Sequence, residues 1–224
     1  MIKKHIPNAI TCANLFSGCI GTIYAFNGDL KTVAYFVILS GVFDFFDGLV
    51  ARLLNVKSEI GKELDSLADV ISFGFLPGLI MYQLLLNSGA GYLAYAGFLI
   101  PIFSALRLAK FNIDTRQTED FIGLNTPMNT FLIISLPYLQ DKTDLISNTY
   151  FLLGLILSLS YLLVSEIKLF SMKVSNLSWA PNKYKFVFVI LSVVLLAFLK
   201  FAAIPVVLIL YIFFSQIHFK YSTN

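Results

Sequence analysis

Long apolar segments, separated by short polar ones, run along the whole chain. Eight of them are apolar enough for a lipid bilayer, in which a helix of about 20 residues spans the hydrocarbon. They cover residues 8–27, 32–54, 65–87, 92–112, 126–139, 149–169, 184–199 and 202–218. The fifth is short and contains two prolines. Only Lys200 and its neighbours separate the last two, so we expect either a tight hairpin there or one helix that lies differently. The pattern predicts an all-α integral membrane protein, a single domain over 1–224 with a bundle of about eight transmembrane helices.

The distribution of charge gives this bundle an orientation. With 58% hydrophobic and 13% charged residues, the composition argues strongly against a soluble globule. If both termini are cytoplasmic, 13 of the 16 lysines and arginines fall in segments on that side. Because positive charge concentrates on the cytoplasmic side of membrane proteins, we expect both termini there, in the cytoplasmic (inner) membrane. No basic stripe accompanies the net charge of +3, which argues against a nucleic-acid partner.

Four aspartates interrupt the apolar pattern. Asp44 and Asp47 lie three residues apart and Asp65 and Asp69 four apart, so each pair shares one face of a helix. The polar stretch 55–62 is typical of a turn between two antiparallel helices, and folding there brings all four to a similar depth. Carboxylates in a membrane are costly, and they repel one another unless a cation lies between them. Oxygen ligands favour Mg²⁺ or Mn²⁺. We therefore predict a site for one or two such ions, facing the cytoplasm.

Small residues and one cation continue the acidic face. Gly48 and Ala51 leave room for a ligand, and Arg52 offers a planar donor fork that suits phosphate. Together with a metal, these residues predict a phosphate-bearing substrate and an in-line displacement at phosphorus. A cation or proton-coupled transporter is the alternative from a different class, because intramembrane carboxylates also build ion pathways.

The spacing of these residues resembles the signature of a known family. The pattern D-x2-D-G-x2-A-R-x8-G-x3-D-x3-D, met from Asp44 to Asp69, is that of the CDP-alcohol phosphotransferases. The resemblance implies an integral membrane enzyme that transfers a substituted phosphate from a CDP-linked donor to an alcohol and releases CMP. It implies a six-helix catalytic core, here followed by two further helices, and a homodimer. Gly74, Gly78 and Gly97 permit close helix packing, and hence a dimer, without requiring it.

The resemblance also implies roles for individual residues. Asp44, Asp47 and Asp65 are expected to be metal ligands, and Asp69 is expected to be both a ligand and the general base. The expected donor-binding residues are Asn8, Thr11, Gly48, Ala51, Arg52, Ser58, Gly61 and Ser66. Ordinary structural roles stay open for several of them, because asparagine and threonine often cap helices and serine is common in polar turns.

Three further stretches resemble the branch of this family whose acceptor is serine. They are residues 6–18, residues 68–77, and the run from Arg107 to Asn112 followed by 123–127. Lys110 and Asn125 depart from the branch pattern, which has arginine and proline there. The resemblance implies CDP-diacylglycerol as donor and L-serine as acceptor, with glycerol 3-phosphate or an inositol phosphate as alternative acceptors.

The acceptor needs a cationic pocket if it is serine, because serine carries a carboxylate. We expect Arg107, Lys110 and Asn112 to bind that carboxylate or the nearby phosphate. The alternative is that the two basic residues only anchor the end of their helix at the lipid headgroups.

Overall fold

The helices of the structure follow the predicted apolar segments one by one. The computed structural model describes residues 3, 5–56, 58–114, 120–172 and 178–222. Nine α-helices lie within them, because the third predicted segment contains two: α1 (His5–Phe26), α2 (Leu30–Leu53), α3 (Glu59–Asp69), α4 (Leu76–Asn87), α5 (Leu99–Ile113), α6 (Thr126–Leu139), α7 (Thr149–Val164), α8 (Trp179–Leu199) and α9 (Ile204–Ser222). The predicted all-α class is confirmed.

Short elements connect these helices. A π-helix, Val70–Phe75, joins α3 to α4, and 3-10 helices precede α5, α7 and α9 at Gly91–Phe98, Asp144–Ser147 and Lys200–Ala203. Two strands of two residues each, β1 (Phe121–Ile122) and β2 (Lys168–Leu169), pair antiparallel with Phe121 opposite Leu169. Helix α7 therefore ends before residue 169, where the apolar pattern had placed the end of the sixth segment.

Among the described residues, five helical segments are long and apolar enough to cross a membrane. They are His5–Phe26, Leu30–Leu53, Glu59–Asn87, Gly91–Ile113 and Asn182–Tyr221. Helices α6 and α7 are shorter, with 14 and 16 residues. The last of the five segments, 40 residues long, contains both α8 and α9.

Helices α8 and α9 form a tight hairpin. Lys200 follows α8 with a positive φ of 52°, which turns the chain. Aromatic rings at similar distances from this turn meet: the ring centroids of Phe188 and Tyr211 lie 5.6 Å apart, and those of Tyr184 and His218 lie 6.3 Å apart. Of the two arrangements considered for the last predicted segments, the structure contains the hairpin. Through α9 it packs on α6 and β2.

Helix α1 lies along both helices that carry the aspartates. It packs on α2 and on α3, whereas α2 and α3 contact each other at few points. The residues that α1 buries are mostly small or polar, among them Thr11, Asn14, Ser17 and Gly18. The two aspartate pairs consequently face each other across a gap whose third wall is α1.

The π-helix begins directly after Asp69 and is held on two sides. Ser72 Oγ donates to the carbonyl oxygen of Asn14 at 3.2 Å, and Thr130 Oγ1 lies 2.7 Å from the carbonyl oxygen of Phe73. A side chain at Gly18 would collide with Ser72. These two hydrogen bonds fix the π-helix in place, and with it the end of α3 that carries Asp69. π-helical turns are frequent at functional sites.

The glycines of the third and fourth predicted segments serve packing within the chain. A Cβ atom on Gly97 would lie 2.6 Å from the backbone nitrogen of Tyr82, and one on Gly78 would lie 2.5 Å from Cδ of Pro101. A Cβ on Gly74 would lie 3.2 Å from Cβ of Ser104. These close approaches are intramolecular, so they do not bear on the homodimer, which stays a prediction.

Candidate active site

Three carboxylates from two helices converge in the gap beside α1. Asp44 and Asp47 come from α2 and Asp65 from α3, and each offers an oxygen within 4.8 Å of the other two. In the described part of the chain the ion pair is Lys31 with Asp141, far from this group in sequence, and no ion pair involves the three aspartates. Negative charges this close repel one another strongly where water is scarce. The arrangement therefore favours a bound cation.

The donor set fits a hard divalent cation. The Oδ1 atom of Asp65 is buried and has no hydrogen-bond partner among the described residues, so it is free to bind a metal. Thr11 Oγ1 donates to Oδ2 of Asp47 at 2.6 Å and orients that carboxylate. Because the group offers carboxylate oxygens alone, it suits Mg²⁺ or Mn²⁺ better than zinc.

A cavity of about 270 Å³ opens beside these carboxylates, where the ends of α1, α2 and α3 meet. Asp47 and Asp65 form one wall. The lining includes six of the eight residues predicted to bind the donor: Asn8, Thr11, Gly48, Ala51, Ser58 and Gly61. The structure thus brings these six positions together, with Pro7, Val56 and Lys62 as further lining residues.

The first turn of α3 lines one side of this cavity and is suited to an anion. Ser58 is the N-cap of α3, and its Oγ accepts a hydrogen bond from the backbone nitrogen of Gly61 at 3.2 Å. A Cβ atom on Gly61 would lie 3.0 Å from Oδ1 of Asn8, so a larger residue would narrow the cavity. The positive end of a helix dipole favours negatively charged groups such as phosphate. Lys62 adds a cation on the same turn.

Residues 4–160 match the profile of the CDP-alcohol phosphatidyltransferase family. The chain belongs to this family. The family resemblance found in the motif is confirmed, and membership supports an enzyme rather than the alternative of a transporter. The hairpin of α8 and α9 lies beyond the matched residues.

Several relatives carry names that specify a reaction. A CDP-diacylglycerol–serine O-phosphatidyltransferase of Helicobacter pylori strain J99 is 36% identical over 193 residues, 84% of this chain and 80% of the relative. A protein of the same name from Bacillus subtilis strain 168 is 33% identical over 169 residues, 74% of this chain and 89% of the relative. An archaetidylserine synthase of Methanothermobacter thermautotrophicus is 31% identical over 170 residues, 73% of this chain and 68% of the relative.

The fourth aspartate of the family motif, Asp69, stands apart from the compact group of three. It is buried, and its Oδ1 accepts a hydrogen bond from Nδ2 of Asn14 at 3.3 Å. Asn14 Oδ1 has no partner among the described residues. The geometry suits a carboxylate held beside the metal group by an amide, and the ligand and base roles of Asp69 stay predictions.

Asn14 and Lys62 are the site residues that motif reasoning missed. Asn14 was detectable, because Asn8, Thr11 and Asn14 follow one another at intervals of three in an otherwise apolar helix and so share one face. Lys62 lies at a variable position of the motif, so the motif did not indicate that it belongs to the site. Its Nζ donates to the carbonyl oxygen of Asn112 at 2.7 Å.

Two predicted donor-binding residues lie outside the lining of the 270 Å³ cavity. Arg52 is exposed in the last turn of α2, and its Nε donates to the carbonyl oxygen of Gly48 at 2.9 Å. Ser66 accepts a hydrogen bond from Nδ2 of Asn112 at 2.8 Å instead of bonding to its own helix. Together with the bond from Lys62 to Asn112, this bond joins the end of α5 to α3 next to Asp65.

The three residues predicted to bind the acceptor are placed differently from one another. Arg107 is buried at 7% exposure, lies 5.2 Å from the ring centroid of Phe111 and interacts electrostatically with Asp69. Lys110 is exposed, as expected of an anchor at a helix end. Both line a small cavity of about 30 Å³. Asn112 instead contacts Ser66 next to Asp65, and of the three residues only Arg107 is buried.

Proposed function

We propose that this protein is a membrane-type phosphatidylserine synthase. It transfers the phosphatidyl group of CDP-diacylglycerol to the hydroxyl of L-serine and releases CMP. The observation that carries the proposal is the convergence of Asp44, Asp47 and Asp65 at a cavity lined by the donor-binding positions of the family motif. The names of the Helicobacter and Bacillus relatives support serine as the acceptor.

Two cavities meet at the carboxylates and suit the two ends of the donor. The polar one, beside Asp47 and Asp65, suits the cytidine and the diphosphate. A second cavity of about 420 Å³ begins at Asp44 and runs between α2 and α6. Its lining is almost entirely apolar: Ile38, Gly41, Val42, Phe45, Phe46, Phe73, Pro127 and Phe131. An acyl chain fits there by its chemistry, which supports entry of the donor sideways from the lipid.

The side chains of the site divide the work of a direct displacement. Asp44, Asp47 and Asp65 would hold Mg²⁺ or Mn²⁺, one or two ions per site, and the metal would neutralise the diphosphate when bound. Asp69, held by Asn14, takes the proton of the serine hydroxyl. The hydroxyl oxygen forms a bond to the phosphorus that carries diacylglycerol, and the bond from that phosphorus to CMP breaks. One displacement inverts a chiral phosphorus.

The membrane arrangement belongs to the same proposal. The eight predicted spans correspond to α1, α2, the α3–α4 segment, the Gly91–Ile113 segment, α6, α7, α8 and α9. Both termini and the active site face the cytoplasm, as the placement of basic residues favours. The protein works as a homodimer surrounded by membrane lipids.

An acceptor assay tests the proposal. Purified protein in detergent micelles is given CDP-diacylglycerol, Mg²⁺ or Mn²⁺, and either L-serine, glycerol 3-phosphate or an inositol phosphate, and CMP release is measured. Of the three acceptors, we expect only serine to support CMP release. We expect no release when EDTA removes the metal. Exclusive use of glycerol 3-phosphate would contradict the serine assignment, and release without any divalent metal would contradict the metal site. A CDP-diacylglycerol chiral at the reacting phosphorus tests inversion.

A further inference from the structure

Several buried polar groups on α5, α6 and α7 have no partner within the protein. Among the described residues they are Ser104 Oγ, Arg107 Nε, Thr126 Oγ1, both amide atoms of Asn129, and Ser160 Oγ. Ser104, Thr126 and Asn129 have no exposed surface at all. A buried polar group without a hydrogen bond costs about 1–3 kcal/mol, so such groups usually bond to ordered water or to a ligand. Asn129 leaves donors and an acceptor unpaired at once.

These groups lie at the depth of Asp69. Ser104 packs against Gly74 and Arg107 interacts with Asp69, so α5 runs antiparallel to the chain from Asp69 to Gly74. Helix α6 runs antiparallel to α2, because Pro127 shares a cavity with Asp44 while Asp141, just after α6, pairs with Lys31 at the start of α2. The first turns of α6, which carry Thr126 and Asn129, are therefore level with the aspartates.

The helical positions on α6 show which way Asn129 faces. Pro127 and Phe131 face α2, and Thr130 faces the π-helix at Phe73. Around the axis of α6, Asn129 is rotated by about 100° from Thr130, in the direction away from Phe131. Helices α5, α7 and α9 all contact α6, and Ser104 lies beside Gly74, the neighbour of the Phe73 that Thr130 contacts. Asn129, next to Thr130 and turned away from α2, is therefore level with Ser104.

We propose that Asn129, together with Ser104 and Arg107, binds the amino and carboxylate groups of the acceptor amino acid and determines acceptor selectivity. The inference rests on the proposed function. The amide oxygen of Asn129 and the Ser104 hydroxyl accept from the ammonium, and the amide nitrogen and the Arg107 guanidinium donate to the carboxylate. Arg107 is the one cation in this buried set, and a single cation suits a zwitterion better than a doubly charged phosphate.

Kinetics of four variants test the inference. We would measure KM for serine at saturating CDP-diacylglycerol, and KM for CDP-diacylglycerol at saturating serine, in Asn129→Leu, Asn129→Asp, Ser104→Ala and Ser192→Ala. Ser192 is the matched control, because its hydroxyl is also buried and unpartnered among the described residues but lies on α8, which packs mainly on α9. Losing a hydrogen bond to a charged group weakens binding about tenfold or more.

The expected result is a rise of about tenfold or more in the serine KM of both Asn129 variants, a smaller rise for Ser104→Ala and none for Ser192→Ala. KM for CDP-diacylglycerol stays within about twofold. Asn129→Asp keeps the shape of the side chain and an acceptor for the ammonium but repels the carboxylate. Its kcat/KM for ethanolamine relative to serine therefore rises above that of the wild type.

Two results would overturn the inference. One is an unchanged serine KM in a folded, active Asn129→Leu enzyme, which would give Asn129 a structural role only. The other is an equal rise of both KM values together with an unchanged ethanolamine-to-serine ratio in Asn129→Asp. If the wild-type protein itself releases no CMP with serine, the proposed function fails instead, and the two failures are distinguishable.

Discussion

The two sides of the active site are built in different ways. The carboxylate side comes from contiguous sequence, α1 to α3, and is open, charged and beside a cavity of about 270 Å³. The opposite side is assembled from α5, α6 and α7 and is closed, with hydroxyls, one amide and the Nε of one guanidinium that have no hydrogen-bond partner among the described residues. The first side suits a large anionic donor that the family shares, whereas the second suits a small acceptor that differs between members. Under the two proposals above, chemistry and acceptor selectivity are separated in space.

The largest expected effect comes from removing charge on the carboxylate side. Asp44→Asn or Asp65→Asn takes a metal ligand away, and we expect CMP release to fall by about a thousandfold or more at saturating serine. Glu63→Gln is the control, because Glu63 is exposed on the same helix as Asp65. Near-normal activity of both aspartate variants would mean that the converging carboxylates do not hold the catalytic metal.

A smaller loss is expected on the acceptor side. Arg107→Lys keeps a charge but removes the planar fork, and we expect kcat/KM for serine to fall about a hundredfold while KM for CDP-diacylglycerol changes little. Lys110→Ala, at an exposed position, should cost only a few-fold. Equal losses in the two variants, measured by CMP release over a range of serine concentrations, would remove the distinction between a buried pocket residue and an exposed anchor.

The hydrogen bond from Thr11 to Asp47 orients one of the predicted metal ligands, and removing it tests how much this orientation contributes to metal binding. Thr11→Val removes the donor to Asp47 at 2.6 Å, and outer partners of this kind change metal affinity about tenfold. The Mg²⁺ concentration for half-maximal activity should rise by that factor. Thr22→Val is the matched change, since Thr22 Oγ1 donates only to the carbonyl oxygen of Gly18 in its own helix. An equal rise of the half-maximal Mg²⁺ concentration in Thr22→Val would contradict this role of Thr11.

The smallest effect concerns the shape of the donor cavity. In Gly61→Ala the new methyl group approaches Oδ1 of Asn8, and we expect KM for CDP-diacylglycerol to rise about fivefold with kcat nearly unchanged. Gly154→Ala is the control, because a Cβ there meets nothing within 4 Å. A changed serine KM in Gly61→Ala, rather than a changed donor KM, would place the acceptor in this cavity.

Predictability from sequence differs between the same two regions. The convergence of Asp44, Asp47 and Asp65 was predictable, because helical spacing on either side of one short turn decides which groups meet. The position of Asp69 outside this group was not. Asn112 could not: it was predicted beside Arg107 from its place in the run, yet it contacts Ser66 on another helix. Asn129 carried no signal, since one asparagine near the start of a short apolar segment resembles a helix-capping residue.

The fold shows the same division. Hydropathy alone predicted the segments that became the helices, because in a membrane the backbone must satisfy its own hydrogen bonds. It did not predict the π-helix after Asp69, the pairing of β1 with β2, or the choice of a hairpin at Lys200, each of which depends on contacts between distant segments.

By itself, the sequence determined the helical class, the convergence of Asp44, Asp47 and Asp65, and the family, because these follow from local periodicity and fixed spacing. Only the tertiary structure decided that α1 packs along both aspartate helices, that Asn14 holds Asp69, and that Arg107 is buried while Lys110 is exposed. The reason is physical. A spacing shows which residues share a face of one helix, whereas burial and partnership depend on which other helix covers that face.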